Sequence, residues 1–320
     1  MDPKVSILIP CYNAERWVAQ SIESALSQTY PDKEVIVIDD GSTDSSPEII
    51  RSFGDKIKWE TGPNRGADYA RNRLLELSQG KWLQYLDADD YLLPDKIKNQ
   101  LDCIKDADQA DVIYSQVLME FRHKGRLLRK SAEGINSLRQ KRDIFVNLAR
   151  WCFPQTGGVL FGRKSLIECG GWKKNQPCCQ EHELYLRLLM AGKKFVFCEV
   201  EGAVYRLVES GTLSRKDPLK AIKERMRLTR VLGDWLHFSG MLNSERQAAI
   251  NISRFECARS AYELDREFAD NLIGEIKQND KGFLPEGNAA PPAYRFIYKV
   301  AGFSAAEKLA RVKRKILSGG

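Results

Sequence analysis

The sequence predicts an α/β fold: a mostly parallel central sheet flanked by helices, followed by a helical C-terminal extension. Three observations predict it. Short, nearly unbroken apolar runs at residues 5–9, 35–38, 82–86 and 112–117 alternate with helix-patterned segments, at a spacing of ~30 residues that suits strand-helix-strand units. The runs lack polar alternation, as parallel strands buried on both faces do. Beyond residue 215 the apolar residues recur at helical spacing.

Each element carries its own signal. The first strand, 5–9, runs into Pro10-Cys11-Tyr12-Asn13, and no G-x-G-x-x-G follows it, which excludes the dinucleotide fingerprint. Ser46-Pro47-Glu48 offers a cap, a first-turn proline and a first-turn acid, and Leu93-Pro94-Asp95 repeats the proline-acid start. A helix over 71–77 sets Ala70, Leu74, Leu75 and Leu77 on one side and stops by Gly80. Residues 121–140 form a Lys/Arg-rich excursion, and apolar residues return at 144–153. A strand at 157–161, a helix at 183–190 ended by Gly192 and a strand at 195–198 complete an α/β domain spanning 1–214. The region 215–320 holds helices at 222–238 and 250–276, a Gly/Pro linker at 282–292 and a last helix over 294–317.

Composition narrows the function. With 320 residues, 43% hydrophobic and 29% charged, the chain has the make-up of a folded globular protein. The start, Met1-Asp2-Pro3-Lys4, has no signal-peptide architecture, and no apolar run is long enough to span a membrane, so a cytoplasmic protein is expected. Eight cysteines without C-x-x-C pairs are read as buried free thiols rather than as a disulfide framework or a zinc site. The net charge of +7 is concentrated from residue 291 onward, where seven basic residues face one acid. A nucleic-acid-binding surface on the main domain is therefore not indicated. Residues 157–165 imitate a phosphate loop, but Arg163 separates Gly162 from Lys164, so an ATPase reading fails.

Two acidic clusters follow strands: Asp39-Asp40-Gly41-Ser42-Thr43-Asp44 and Asp87-Ala88-Asp89-Asp90. Ligands of open α/β sheets bind outside the carboxyl ends of the strands, which places both clusters at one cleft. Crowded carboxylates repel unless a cation or hydrogen-bonded ligand is present, and an Asp-x-Asp turn offers hard oxygens suited to magnesium or manganese. For either cluster alone, capping of the next helix by its Asp or Ser residues, as by Asp44 or Ser45 in the first, is an equal reading.

In order and spacing, Ile9-Pro10-Cys11-Tyr12-Asn13, Ile38-Asp39-Asp40-Gly41-Ser42-Thr43-Asp44, Ala70-Arg71-Asn72 and Leu86-Asp87-Ala88-Asp89-Asp90 resemble the family 2 glycosyltransferases, over residues 1 to about 210. The resemblance implies the GT-A nucleotide-diphospho-sugar transferase fold, with 1–214 as its catalytic domain. It also implies an inverting, non-processive, metal-assisted transfer, with a UDP-sugar as the expected donor and Mn2+ or Mg2+ as cofactor. Pro10, Tyr12 and Asn13 would line the nucleotide pocket, Tyr12 against the base, and Asp40 would accept an imide N–H of uracil or thymine. Arg71 would steady the nucleotide side, a surface arginine being its other reading. Asp87 and Ala88 would meet the nucleotide sugar, and Asp89 would bind the metal that bridges the diphosphate.

Further along, Cys179-Gln180-Glu181-His182-Glu183 is similar to the family's acidic pair leading into a helix. Gln180 stands for the first acid and Glu181 occupies the place of the base, normally an aspartate; Glu183 is the rival. The histidine that follows Tyr205-Arg206 in many relatives is missing, and Leu207-Val208-Glu209-Ser210-Gly211-Thr212-Leu213-Ser214 reads as a plain loop. Trp172 is either a sugar-stacking ring or a core residue, and His182 a helix-surface residue. A binding protein that holds nucleotide sugar or glycan without turnover is the alternative function, motivated by Gln180, Glu181 and the missing histidine.

In the last helix Phe296, Val300, Phe303, Leu309, Val312 and Ile316 recur at three-to-four-residue spacing among lysines and arginines. Such a basic amphipathic helix docks on protein or lies on the inner face of an anionic membrane, where a lipid-linked acceptor would be found. A glycan hydroxyl is the other acceptor class.

Overall fold

A computed structural model describes residues 3–104, 110–123, 126–131, 143–207 and 217–318. The chain forms two compact units, Met1–Arg142 with Cys152–Thr212, and Asp143–Trp151 with Leu213–Gly320.

The first unit is built on one sheet. Its strands are β1 (Val5–Cys11), β2 (Lys33–Asp39), β3 (Lys58–Thr61), β4 (Trp82–Tyr85), β5 (Tyr91–Leu92), β6 (Val112–His123), β7 (Arg126–Ser131), β8 (Val159–Gly162) and β9 (Phe195–Arg206). They lie in the order β3-β2-β1-β4-β8-β6-β9-β5, with β7 paired to β6. From β3 to β4 all neighbours are parallel. The chain winds outward from β1 to β3 and returns to the other side of β1 as β4, so strand order reverses between β1 and β4, where α/β sheets open a binding crevice.

Beyond β4 the sheet is mixed: β8 runs antiparallel to β4 and β6, while β6 and β9 are parallel. An apolar run buried on both faces fixes a central strand, but burial carries no information about direction. The basic excursion is partly regular, since β6 continues to His123 and turns back as β7; residues 132–142 lie outside the described set. The strand expected at 195–198 extends to Arg206.

Helices α1 (Val18–Leu26), α2 (Ser46–Arg51), α3 (Ala67–Leu77), α4 (Lys96–Asp102), α6 (Arg163–Glu168) and α7 (Gln180–Met190) complete this unit. The expected cap Ser46 does other work: its Oγ accepts the Ala14 N–H at 2.9 Å, tying the loop after β1 to α2. Cys11 is a buried thiol, pushed up to about 12 by burial. Cys103 and Cys198, read as free thiols, are instead a disulfide with a Cα–Cα distance of 5.9 Å. The two lie 95 residues apart in sequence, and only the packing of α4 beside β9 brings them together.

The second unit is helical: α5 (Ile144–Ala149), α8 (Pro218–Phe238), α9 (Ser244–Ala261), α10 (Arg266–Asn279) and α11 (Pro292–Ser318). Asp217, Asn243 and Asp265 each accept a backbone N–H three residues on, closing the starts of α8, α9 and α10. The segment 250–276, read as one helix, is therefore two, because Asp265 caps a new start that the apolar spacing does not register. Phe255, Tyr294, Tyr298 and Phe303 pack with Leu272, Ile273 and Ile276 in the core. Gly302, at φ 79°, breaks α11 into two helical segments. No helix among the described residues is long and apolar enough to cross a membrane.

Candidate functional site

The first part of the site lies where β1 and β2 end. Asp40 is buried, its N–H bonded to the Cys11 carbonyl at 2.8 Å. Its carboxylate accepts the backbone N–H groups of Arg65 at 2.8 Å and Gly66 at 2.9 Å. Burial raises Asp40 above the usual carboxylate range against the pull of those two amides. A carboxylate offers about four lone-pair sites, so capacity for a further donor remains. Gly41 makes the turn, at φ 75°; a Cβ there would stand 2.5 Å from the Asn64 nitrogen. Asn13 takes the Thr43 N–H on Oδ1 at 2.8 Å and gives its own N–H to Ser42 Oγ at 2.9 Å. These bonds hold the loop after β1 against the loop after β2, and leave Tyr12 52% exposed beside Pro10, which is half-buried.

The second part is the turn after β4. Asp90 N–H bonds the Asp87 carbonyl at 3.0 Å, and Ala88 is buried under the turn. Burial and the neighbouring Asp87 push Asp89 up to about 6. Asp90, fully enclosed, is likewise raised well above the usual carboxylate range, by burial first and then by Asp89 and Asp87. Arg71, on α3, is buried rather than a surface arginine. Its Nη2 reaches Asp87 Oδ1 at 2.8 Å and lies 3.9 Å from Glu181 Oε1. Nη1 donates to Gln180 Oε1, and the guanidinium covers the Trp172 ring at 4.8 Å. Burial alone would lower this arginine, but Asp87 and Glu181 outweigh it and the net shift is upward.

Arg206, at the end of β9, was singled out by neither periodicity nor acidity, yet it grips the same turn. Its N–H donates to Asp90 Oδ1 at 2.9 Å and its Nη1 to the Asp89 carbonyl at 2.9 Å. Nη2 donates to Gln20, and Nε to Glu120 at 3.4 Å. The guanidinium lies over the rings of Trp17 and Tyr91, at 4.8 and 4.6 Å. The sequence marked Arg206 only as the residue before a missing histidine, eight positions past the expected end of the strand, and gave it no role.

The third part is the start of α7. Glu181 accepts the Thr156 Oγ1 hydrogen at 2.8 Å, and its side chain is 21% exposed. Glu183 is buried and held on both oxygens by Arg187, Nε to Oε1 at 2.9 Å and Nη2 to Oε2 at 2.9 Å. Arg187 Nη2 also donates to the Gly171 carbonyl at 2.7 Å, so Glu183 is the inner anchor of α7. Trp172 is 2% exposed and packs edge-on to Tyr85 at 5.2 Å, so it is a core residue and not a sugar platform. The His182 ring stands 5.9 Å from that of Tyr185.

Asp87, Arg71 and Glu181 are thus drawn into one cluster, while Asp40, Asn13 and Tyr12 occupy the strand ends beside it, since β1 pairs with both β2 and β4. Among the described residues no group of three or more His, Cys, Asp or Glu side chains is placed to hold a metal ion. The residues fit a divalent ion of another kind, in which one carboxylate and phosphate oxygens share the coordination, as magnesium sites often do. Asp89, raised by burial beside two further acids, fits that single-ligand role. Residues 208–214, most of the segment read as a plain loop, lie outside the described residues.

Comparison with known proteins identifies the family of the chain. The sequence model described as Glycosyl transferase family 2 matches residues 6–171. An uncharacterized glycosyltransferase of Haemophilus influenzae is 47% identical over 103 residues, 31% of this chain and 41% of that protein. The UDP-Glc:alpha-D-GlcNAc-diphosphoundecaprenol beta-1,3-glucosyltransferase WfaP of Escherichia coli is 41% identical over 99 residues, 30% of this chain and 39% of that one. The uncharacterized glycosyltransferase RP339 of Rickettsia prowazekii is 40% identical over 112 residues, 35% of each chain. The chain spans 35–41% of the length of these relatives. Among solved structures, S. aureus TarS 1-349 with UDP-GlcNAc superposes with a TM-score of 0.61 at 15% identity, over 98% of this chain and 92% of that one. The mannosyltransferase PcManGT of Pyrobaculum calidifontis, with GDP-Man and Mn2+, gives 0.56 at 15% identity, over 99% and 81%. At such identities the likeness establishes the fold.

Proposed function

The chain belongs to glycosyl transferase family 2, and from that premise we propose that it transfers a sugar from a nucleotide diphosphate, a UDP-sugar foremost, to a hydroxyl of a glycan or lipid-linked acceptor with inversion at the anomeric carbon. One observation carries the reading. Arg71 joins the diphosphate-side acid Asp87, at 2.8 Å, to Glu181, at 3.9 Å, so a base and a donor-binding turn share one buried cation. The relatives support the donor class: TarS was solved with UDP-GlcNAc, PcManGT with GDP-Man and Mn2+, and WfaP is named for UDP-Glc.

In the proposed mechanism Tyr12 and Pro10 line the base pocket, Asn13 steadies its loop, and Asp40 accepts an imide N–H. Asp87 and Ala88 face the ribose and diphosphate. Asp89 would hold Mn2+ or Mg2+, which when bound supplies positive charge against the leaving diphosphate. Glu181, oriented by Thr156, takes the proton of the acceptor hydroxyl. The acceptor oxygen forms a bond to the anomeric carbon as the bond to the diphosphate oxygen breaks on the opposite face. Glu183, consumed by Arg187, is not available for this step. The domain assignment belongs to the same proposal: catalysis within 1–214, with 215–320 as an appended helical region. So does a cytoplasmic placement with peripheral contact at the inner face of the membrane.

The test is a thermal-stability screen of nucleotide diphosphates and nucleotide sugars with Mn2+, on the native protein and Asp89→Ala, since a ligand of the folded state raises its melting temperature. Stabilisation by one uridine or thymidine sugar, lost without metal or in the variant, is the expected result, and turnover of that donor should vanish in Glu181→Gln. Binding without turnover in the native protein would favour the non-catalytic holder of nucleotide sugar. No response to any nucleotide would overturn the reading.

A further inference from the structure

The outer face of α11 has a repeated pattern that the core does not explain. Arg295-Phe296, Lys299-Val300, Lys308-Leu309 and Arg311-Val312 are four basic-apolar pairs, and Lys315-Ile316 continues the series in sequence. In each pair the cation immediately precedes the apolar residue. One residue is about 100° of helix turn, so each helical segment carries a basic row along the same flank of its apolar row. The apolar rows are open to solvent: Phe296 is 70% exposed, Val300 71%, Leu309 53% and Val312 54%. The four cations beside them are exposed as well.

The opposite face is already used. Tyr294, Tyr298, Phe303 and Ala306 point into the helical core. Glu307, the one acid of α11, is fully buried and accepts from Tyr294 Oη at 2.7 Å and Arg259 Nε at 2.5 Å. The outward surface therefore carries cations and hydrocarbon with no carboxylate from its own helix; Arg311 finds one on a neighbour, Glu263, at 3.8 Å.

From this arrangement we propose that the outer face of α11 lies on an anionic phospholipid surface. Phe296, Val300, Leu309 and Val312 enter the headgroup boundary, and Arg295, Lys299, Lys308 and Arg311 reach lipid phosphates beside them. Hydrocarbon flanked by cations on flexible stems matches that boundary, where the stems bury and the charges stay wet. A second copy is the poorer occupant, because this face offers cations and hydrocarbon but no carboxylate of its own helix to meet the cations of a partner copy. The contact itself is independent of the transfer reaction. That it brings the enzyme to a lipid-linked acceptor rests on the transfer reading.

The experiment uses the full chain and sedimenting vesicles of phosphatidylcholine alone or mixed with phosphatidylglycerol. Co-sedimentation with the mixed vesicles only, reversed by salt, is expected. The Phe296→Ser/Val300→Ser and Arg295→Glu/Lys299→Glu variants should each weaken it by about tenfold or more, with melting temperature unchanged. Equal binding to both vesicles, no binding, or variants that bind like the native protein would overturn the proposal. So would a concentration-dependent dimer that the Phe296→Ser/Val300→Ser change dissolves. Donor turnover with a soluble acceptor, measured without vesicles, separates the fate of this contact from that of the transfer reading.

Discussion

Arg71 donates from Nη2 to Asp87 Oδ1 at 2.8 Å, and the residue as a whole is only 6% exposed. The same nitrogen is 3.9 Å from Glu181, so one buried cation balances two carboxylates from different elements, the turn after β4 and the start of α7. Its Nε has no hydrogen-bond partner among the described residues. A guanidinium tolerates that cost here because two anions and the Trp172 ring surround it.

Replacing Arg71 should accordingly cost more than a surface arginine would. Arg71→Met leaves Asp87 and Glu181 facing each other without the cation, and we expect a loss of about 2 kcal/mol in stability together with a fall in kcat of about a hundredfold or more. Arg71→Lys should restore part of the stability but little activity, since a single ammonium cannot reproduce the fork. Chemical unfolding and donor turnover measured side by side check this; full activity in Arg71→Met would show that the bridge is ornamental.

The two acids of α7 should separate cleanly by type of defect. Glu181→Gln keeps the helix and its bond from Thr156, so melting should hardly change while kcat drops by about 10²–10⁴-fold, the usual share of a general base. Glu183→Gln strips Arg187 of a buried partner held at 2.9 Å and should lower stability by about 2 kcal/mol, with residual kcat tracking the folded fraction. The reverse pattern would make Glu183 the base.

Much of this site was legible in the sequence, and what was not has identifiable causes. Strand ends followed by acids read directly, because parallel β1, β2 and β4 must deliver their carboxyl ends to one edge. The buried state of Arg71 did not read, since its partners Asp87 and Gln180 lie 16 and 109 residues away. Arg206 was missed for the same reason: its partner Gln20 is 186 residues distant. Trp172 gave two readings because an aromatic beside two glycines fits a sugar shelf as well as a core, and only the rings of Tyr85 and Phe161 decide for the core.

Arg206 should act on metal use through the backbone it holds. Its bonds to the Asp89 carbonyl and the Asp90 carboxylate, both 2.9 Å, fix the peptide from which the Asp89 side chain springs. Arg206→Met retains the backbone bond to Asp90 but releases Asp89. We expect the Mn2+ concentration for half-maximal nucleotide-dependent stabilisation to rise about tenfold, while binding of nucleotide without metal is unaltered. An equal loss in both would indicate general unfolding of the site, and Arg206→Lys serves as the conservative comparison.

Asp89 gives a pH prediction with a definite sign. Its ordinary value of 3.8 is raised to about 6, by burial first and then by Asp87, so the folded state holds this proton more tightly than the unfolded chain. Protonation therefore stabilises the fold. That contribution is complete below about 4 and is lost as pH rises through about 6; Asp90, also raised mainly by burial, acts in the same direction. A divalent ion prefers the ionised carboxylate and competes with the proton. Without metal, this part of the stability should decline as pH climbs through that window. The increment given by Mn2+ with nucleotide should be small below pH 6 and full above it. Asp89→Asn, which cannot ionise, should remove the Asp89 share of the metal-free decline and abolish the Mn2+ increment. Melting curves recorded on both sides of the window, with and without Mn2+, test the pair of effects. An Mn2+ increment that ignores pH, or that survives Asp89→Asn, would move the metal off Asp89.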